Sequence, residues 1–139
     1  MMYTKRIMNL RQRAAQSGLS AIALIPSANL YYFTGIHMGL SERSAIVIIP
    51  AHGPVKMVVP QLDESRVQSV VHVDEIISYK DEEGPASALS RAIDGLDLDH
   101  GDIGFEYRAM RVQELELLKA AAGELRYQDA GRLFRSEER

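Results

Sequence analysis

The order of elements predicts a three-layer α/β domain built on a mixed sheet. Three observations carry this. Beyond residue 60, short β-branched runs alternate with amphipathic helical windows, as they do when crossover helices cover both faces of a sheet. Between residues 44 and 59, two apolar runs flank five turn formers, which forces one antiparallel pair. The length, 139 residues at 46% hydrophobic and 25% charged, suits one globular domain. Such a chain buries roughly 70% of its unfolded surface without covalent staples.

Each element has its own local reason. Thr4 is placed to cap a helix carrying Ile7, Leu10 and Ala14 on one stripe, and Gly18 ends it where a left-handed residue is favoured. Ala21–Ile25 is a short apolar run suited to a strand buried on both faces. Pro26, Ser27 and Asn29 break it, Asn29–Phe33 reads as one helical turn, and Gly35 stops that turn. Residues 35–43 hold two glycines and little periodicity, so they read as a loop. Ser44–Ile49 and Val55–Val59 read as a hairpin across Pro50-Ala51-His52-Gly53-Pro54. Gln61–Val71 sets Leu62, Val67, Val70 and Val71 at mostly helical spacing, and Glu75–Tyr79 is a further strand. Pro85 suits a helix start, with Ala86, Leu89, Ile93 and Leu96 keeping the period to Gly95. Asp102–Glu106 is a short strand. Arg111–Ala122 is the strongest helix, with Leu115, Leu118 and Ala122 expected to face inward and Gly123 as terminator. Leu125–Gln128 reads as a last strand.

Composition excludes several function classes. With no cysteine there are no disulfides, thiolate zinc sites or cysteine nucleophiles. A reducing cytoplasm is compatible with that, and a cytoplasmic location is expected. No run approaches the ~18 consecutive apolar residues of a membrane span. The basic N-terminal stretch is not followed by an apolar signal region. No membrane partner is therefore expected. Net charge is −3, distributed as +5 over residues 1–60, −9 over 61–106 and +1 over the remainder. Lys5, Arg6, Arg11 and Arg13 read as a solvated helix face rather than a phosphate-binding patch, and no nucleic-acid partner is expected.

The sequence excludes more kinds of chemistry than it offers. His37, His52, His72 and His100 lie fifteen or more residues apart, against spacings of about three to five for zinc ligands on one element. Each reads as a surface histidine. Asp97-Leu98-Asp99-His100-Gly101-Asp102 lacks the later ligands of a calcium loop, with Gly101 at the fifth position and Arg108 at the twelfth. Dinucleotide, phosphate-loop and hydrolase-elbow glycine motifs are absent from the sequence. The first strand, ending Leu24-Ile25-Pro26-Ser27, has none of the carboxylates of a phospho-receiver or a ribonuclease H-type nuclease. Asp81, Glu82 and Glu83 form the densest acidic cluster and read as helix N-terminal acids before Pro85. The 35–43 loop remains, with His37, Glu42 and Arg43 on an otherwise rigid scaffold. Arg43 stands just before an apolar strand. It can reach a carboxylate with two parallel bonds, or it is paired with Glu42 or solvent.

The run Asn29-Leu30-Tyr31-Tyr32-Phe33-Thr34-Gly35 resembles the N-x-x-Y-x-T-G signature of the N-terminal domain of prolidase, aminopeptidase P and creatinase. Arg11 to Leu24 is similar to the family's opening helix and first strand. Arg43 with Ser44-Ala45-Ile46-Val47-Ile48-Ile49-Pro50 resembles its "R…l-l-i-P" strand, and Gly53-Pro54 with Val58-Val59-Pro60 the hairpin partner. Ile103-Gly104-Phe105-Glu106 is similar to the "v-G-v-E" strand, and Leu133–Arg139 to the link leading into the catalytic domain.

The resemblance implies an α/β/α domain with a ribonuclease H-like sheet of about six strands over residues 1–131, with 132–139 starting a linker. It implies no catalytic residue and no metal ligand in this sequence. In the family, a C-terminal domain of the pita-bread type holds two divalent metals (Mn, Co or Zn) that activate a bridging water and polarise the scissile carbonyl. Creatinase uses that fold without metals. The N-terminal domain drives homodimerisation and lends the loop equivalent to residues 35–43 to the neighbouring active site. Arg43 matches an arginine that contacts the substrate carboxylate in creatinase-like members, and His37 and Glu42 match loop positions that shape substrate choice. The aromatic residue that accompanies the arginine two positions earlier is Ser41 here, which argues against creatine.

Three readings are open. The chain is the accessory domain of a cytoplasmic dipeptidase or aminopeptidase acting on short Xaa-Pro peptides. Alternatively, the same scaffold serves a creatinase-like or ectoine-hydrolase-like amidinohydrolase. A third reading is a non-enzymatic peptide- or protein-binding module, like the related unit in the FACT histone chaperone.

Overall fold

The chain runs α1 (Met2–Gln16), β1 (Leu19–Leu24), α2 (Ala28–Thr34), β2 (Ile46–Pro50), β3 (Lys56–Pro60), a short 3-10 turn at Gln61–Asp63, α3 (Glu64–Val67) and β4 (Glu75–Tyr79). It continues through α4 (Pro85–Asp94), β5 (Asp102–Phe105), α5 (Val112–Ala122), β6 (Tyr127–Asp129) and α6 (Gly131–Glu138). The structure is a computed structural model and describes residues 2–70, 72–98, 102–123 and 125–138. The six strands form one sheet in the order β4-β3-β2-β1-β5-β6. β2 is antiparallel to both β1 and β3, while the β3–β4, β1–β5 and β5–β6 pairs are parallel. The mixed sheet expected from the hairpin is present.

Alternation along the central strands explains the three layers. Ile22 and Leu24 of β1, Val47 and Ile49 of β2, and Met57 and Val59 of β3 face a core completed by Ile7, Leu10 and Ala14 of α1, Leu30 and Phe33 of α2 and Phe134 of α6. Ala21 and Ala23, Ile46 and Ile48, and Val58 face the other way, onto Ala88, Leu89 and Ala92 of α4 and Leu118 of α5. A strand buried on both faces needs apolar residues at every position, which is why these segments read as continuous runs. The exceptions are half-buried Ser20 of β1 and Lys56 of β3. Lys56 is the charged one. Its buried ammonium donates to the Ala92 carbonyl at 3.0 Å and pairs with Glu75 at 3.2 Å.

Two glycines fit where a side chain would not. Gly35 ends α2 in the left-handed region at φ 78°, and a Cβ there would meet the Tyr3 ring at 2.9 Å. A Cβ on Gly104 of β5 would lie 2.7 Å from Leu19 and 2.9 Å from Ala130, so its absence lets three segments close together.

Four expectations need correction. Thr4 lies inside α1 rather than capping it, because the helix extends back to place Tyr3 against the His72 ring, 5.5 Å between centroids. The helix expected over Gln61–Val71 is only a 3-10 turn plus one α-helical turn. Of its apolar residues, Val67 is buried, Leu62 is exposed, and Val71 lies outside the described residues. The last strand begins at Tyr127 rather than Leu125 and is followed by α6, a helix not expected from periodicity. On α5, Leu115 and Ala122 are only partly buried, and the fully buried position besides Leu118 is Glu114.

Glu114 is buried without being isolated. It accepts from Arg111 Nε at 2.8 Å and Nη2 at 2.5 Å, and from Ser44 Oγ at 2.6 Å. Burial pushes its carboxyl up, but the hydrogen bonds from Arg111 and Ser44 and the charge of Arg111 outweigh that, so it titrates below its ordinary value of 4.5.

This packing makes two predictions. Phe134→Ala should cost about 3–5 kcal/mol, read from the urea midpoint; a loss below about 0.5 kcal/mol would mean that α6 is not part of the core. Because the folded carboxyl of Glu114 is depressed, its stabilisation is complete above the unfolded value and is lost as pH falls through the folded one. Glu114→Gln should therefore cost about 3 kcal/mol at neutral pH, and it should flatten the acid limb of melting temperature below pH 4.5. An unchanged acid limb would contradict this.

Candidate functional site

Strand directions gather the loops of interest on one rim of the sheet. β1, β3, β4, β5 and β6 end there, and β2, antiparallel to β1 and β3, begins there. The rim thus carries residues 25–29, 42–45, 60–63, 79–83 and 106–114. β1 and β5 are parallel neighbours whose following helices, α2 and α5, lie on opposite faces. Their ends therefore splay into the crevice that open α/β sheets use for ligands.

At that crevice Asn29 Nδ2 donates to Glu106 Oε2 at 2.8 Å, joining residues 77 positions apart. The rest of the 29–35 run is equally structural. Ser27 caps α2 by accepting from the Leu30 backbone N–H. Thr34 Oγ1 donates to the Leu30 carbonyl at 2.6 Å and accepts from the Ile36 N–H at 3.1 Å. The His72 ring nitrogen bonds the Thr34 carbonyl. His72 is therefore a half-buried packing residue and not the surface histidine expected. His52 lies in the turn between β2 and β3, and His100 lies outside the described residues.

Arg43 is the best-defined group of the loop. Its guanidinium donates from Nε to Asp81 Oδ1 at 2.8 Å and from Nη2 to Oδ2 at 2.9 Å. The two parallel bonds are there, but to Asp81 rather than Glu42. The pair raises the titration of Arg43 and holds the Asp81 carboxyl below its ordinary value, through the Arg43 hydrogen bond first and its charge as well. Asp81 is thus turned away from the helix beyond it, and α4 begins after Gly84 with no side-chain cap. The sequence offered one signal for this partner: an acid two residues beyond the apolar strand that ends at Tyr79.

The backbone on either side of Arg43 is fixed. Tyr79 OH donates to the Ser44 carbonyl at 2.7 Å, and burial, with the nearby Asp81 charge, pushes that phenol up to about 12. Gln113 Nε2 donates to the Glu42 carbonyl at 2.9 Å and to Ser44 Oγ at 2.7 Å. Through Ser44 this links the loop to Glu114. Sequence reasoning missed Glu114 because an acid on a helix reads as solvent-facing; Arg111 three residues earlier was the available signal.

Glu42 and His37 are exposed. The His37 ring packs against Tyr31, 5.3 Å between centroids, and no hydrogen bond or ion pair among the described residues joins it to Arg43. Tyr31, Leu40, Leu62, Tyr107 and Val112 form most of the exposed large apolar side chains among the described residues; Leu62, Tyr107 and Val112 lie on this rim, Tyr31 on α2 and Leu40 in the loop before β2. Among the described residues no group of three or more His, Cys, Asp or Glu side chains could hold a metal ion, and no helix is long and apolar enough to cross a membrane.

Comparison with known proteins agrees with this geometry. The family model of the creatinase/prolidase N-terminal domain matches residues 6–137. Prolidase from Thermococcus sibiricus superposes with a TM-score of 0.85 at 20% identity, over 98% of this chain and 36% of that one. A dipeptidase from Pyrococcus horikoshii gives 0.83 at 25% identity, over 99% and 36%. The creatinase/prolidase N-terminal domain of an X-Pro dipeptidase from Streptococcus pyogenes gives 0.85 at 15% identity, over 96% and 98%. The chain thus spans about a third of the two archaeal enzymes and nearly all of the streptococcal domain. No curated protein sequence is significantly similar to it. A match over almost the whole chain, on the fold the residues themselves predict, makes the protein a member of the creatinase/prolidase N-terminal domain family.

Proposed function

We propose that the chain is the non-catalytic N-terminal domain of a cytoplasmic, metal-dependent Xaa-Pro dipeptidase or aminopeptidase. Residues 132–139 lead, through α6, towards a C-terminal domain that holds two divalent metals (Mn, Co or Zn) and performs the hydrolysis. The domain serves homodimerisation and gates short proline-containing peptides, with Arg43, His37 and Glu42 facing the substrate. The match over residues 6–137 to this family carries the reading.

Two features of the molecule support the gating role. Arg43 is a fixed cation on a loop rim, where a peptide's terminal carboxylate can be met by directed hydrogen bonds. The exposed apolar side chains of the rim and its loop are of the kind that partner surfaces cover. Ser41, in place of an aromatic residue, weighs against creatine as substrate.

The 139-residue chain alone should bind neither Mn nor Co in calorimetry and should release no proline from Ala-Pro or Gly-Pro. Turnover above a blank that a chelator abolishes would refute this. In the protein carrying its C-terminal domain, Arg43→Ala should raise KM for dipeptides by about tenfold or more, as expected for a lost charge-assisted hydrogen bond. An unchanged KM with a lower melting temperature would make Arg43 a purely structural residue.

A further inference from the structure

Arg43 has five N–H donors, and Asp81 occupies two of them. Nε and one Nη2 hydrogen form the side-on edge of the guanidinium, and both face Asp81. Nη1 and the outer Nη2 hydrogen form the end-on edge of the same plane, and they have no partner among the described residues. The Arg43 side chain is 39% exposed, which leaves room for a ligand beside the guanidinium.

The geometry points to Asp81 as a positioning residue: by holding the side-on edge of Arg43, it presents the end-on edge as a seat for a second carboxylate and stays in place when the seat is filled. This rests on the reading of Arg43 as the group that meets the substrate carboxylate, and it deepens that reading. An arginine on a loop ordinarily gives up rotamer freedom when it binds an anion. Here Asp81 has already fixed the plane, and both arms of the pair are anchored: Asp81 lies just beyond β4, Arg43 precedes β2, and the Tyr79–Ser44 bond ties the two strands at that level. The charge balance adds selectivity. Arg43 with Asp81 is neutral overall, and Glu42 adds negative charge beside it. A dianion gains little from this field, whereas one carboxylate placed squarely on the free fork gains two directed bonds. The ligand is therefore a single terminal carboxylate.

Side-chain NMR of the 139-residue chain tests this directly. The Arg43 Nε–H signal, assigned with Arg43→Lys, should show a hydrogen-bonded resonance that Asp81→Asn abolishes. Acetyl-L-proline should shift the Arg43 Nη signals and leave Nε–H in place, while acetyl-L-prolinamide should shift neither. Movement of Nε–H to its Asp81→Asn position on adding acetyl-L-proline would mean displacement of Asp81 and would overturn the proposal, as would the absence of any shift. Kinetics of the protein with its catalytic domain separate this idea from the reading beneath it. Asp81→Asn should raise KM for Ala-Pro about fivefold with kcat unchanged, in proportion to a partly lost charge-assisted contact. It should leave Ala-prolinamide unaffected and be partly rescued by Asp81→Glu. If Arg43→Ala raises KM and Asp81→Asn does not, the positioning role fails and the carboxylate contact stands; if neither does, the underlying reading fails.

Discussion

A carboxylate with no exposure to solvent persists as an anion only where donors replace the water it has lost, and Glu114 meets that condition with three charged or polar donors. One of those donors is Ser44, the first residue after the loop that carries His37, Glu42 and Arg43. Gln113, the neighbour of Glu114, holds the Glu42 carbonyl and the Ser44 hydroxyl in the same cluster. The start of α5 and the exit of the loop are therefore one unit. The position of Arg43 depends on it, because the backbone on both sides of the arginine is held by bonds separate from its side-chain pair with Asp81. A polar network of this sort is most useful when every member is satisfied.

The strands were legible because the sheet is covered on both sides. Burial on two faces demands unbroken apolar runs, and Ile46–Ile49 and Met57–Val59 supply them with turn formers between. α4 was legible for a different reason: Pro85 starts it, and Leu89 and Ile93 of the expected stripe are buried, although Ala86 is exposed, Leu96 lies beyond the helix, and Ala88 and Ala92 complete the inner face. The failures share a cause. α3 buries only Val67 and α6 is anchored by Phe134, so neither carries a stripe long enough to declare itself. Asp81 was misread and Glu114 passed over because acids near helix starts are ordinarily solvated, and only tertiary structure shows that an arginine pairs with each.

The signature that carries the resemblance turns out to be architectural. Asn29 bridges the ends of β1 and β5 through Glu106, Thr34 closes the last turn of α2 and opens the next segment, and Gly35 leaves room for Tyr3. Asn29 Nδ2 and Thr34 Oγ1 are both engaged in these structural bonds, while Asn29 Oδ1 is buried with no hydrogen-bond partner among the described residues. Recognition of the fold and the choice of candidate functional residues therefore rest on different parts of the sequence: the former on residues 29–35, the latter on residues 37–43.

That division has a physical consequence for how the rim can change. His37, Gly39, Leu40 and Glu42 are exposed, and the bond from the Gln113 side-chain amide to the Glu42 carbonyl does not depend on the Glu42 side chain. Substitutions there touch little of the core, so a surface position of this kind ordinarily alters stability by only about 0.5 kcal/mol. Arg43 and Ser44 are coupled instead to Asp81, Tyr79 and Glu114, so changing either disturbs several bonds at once. A scaffold arranged in this way keeps one fixed cation while the residues before it remain free to set the shape and charge of whatever the loop meets.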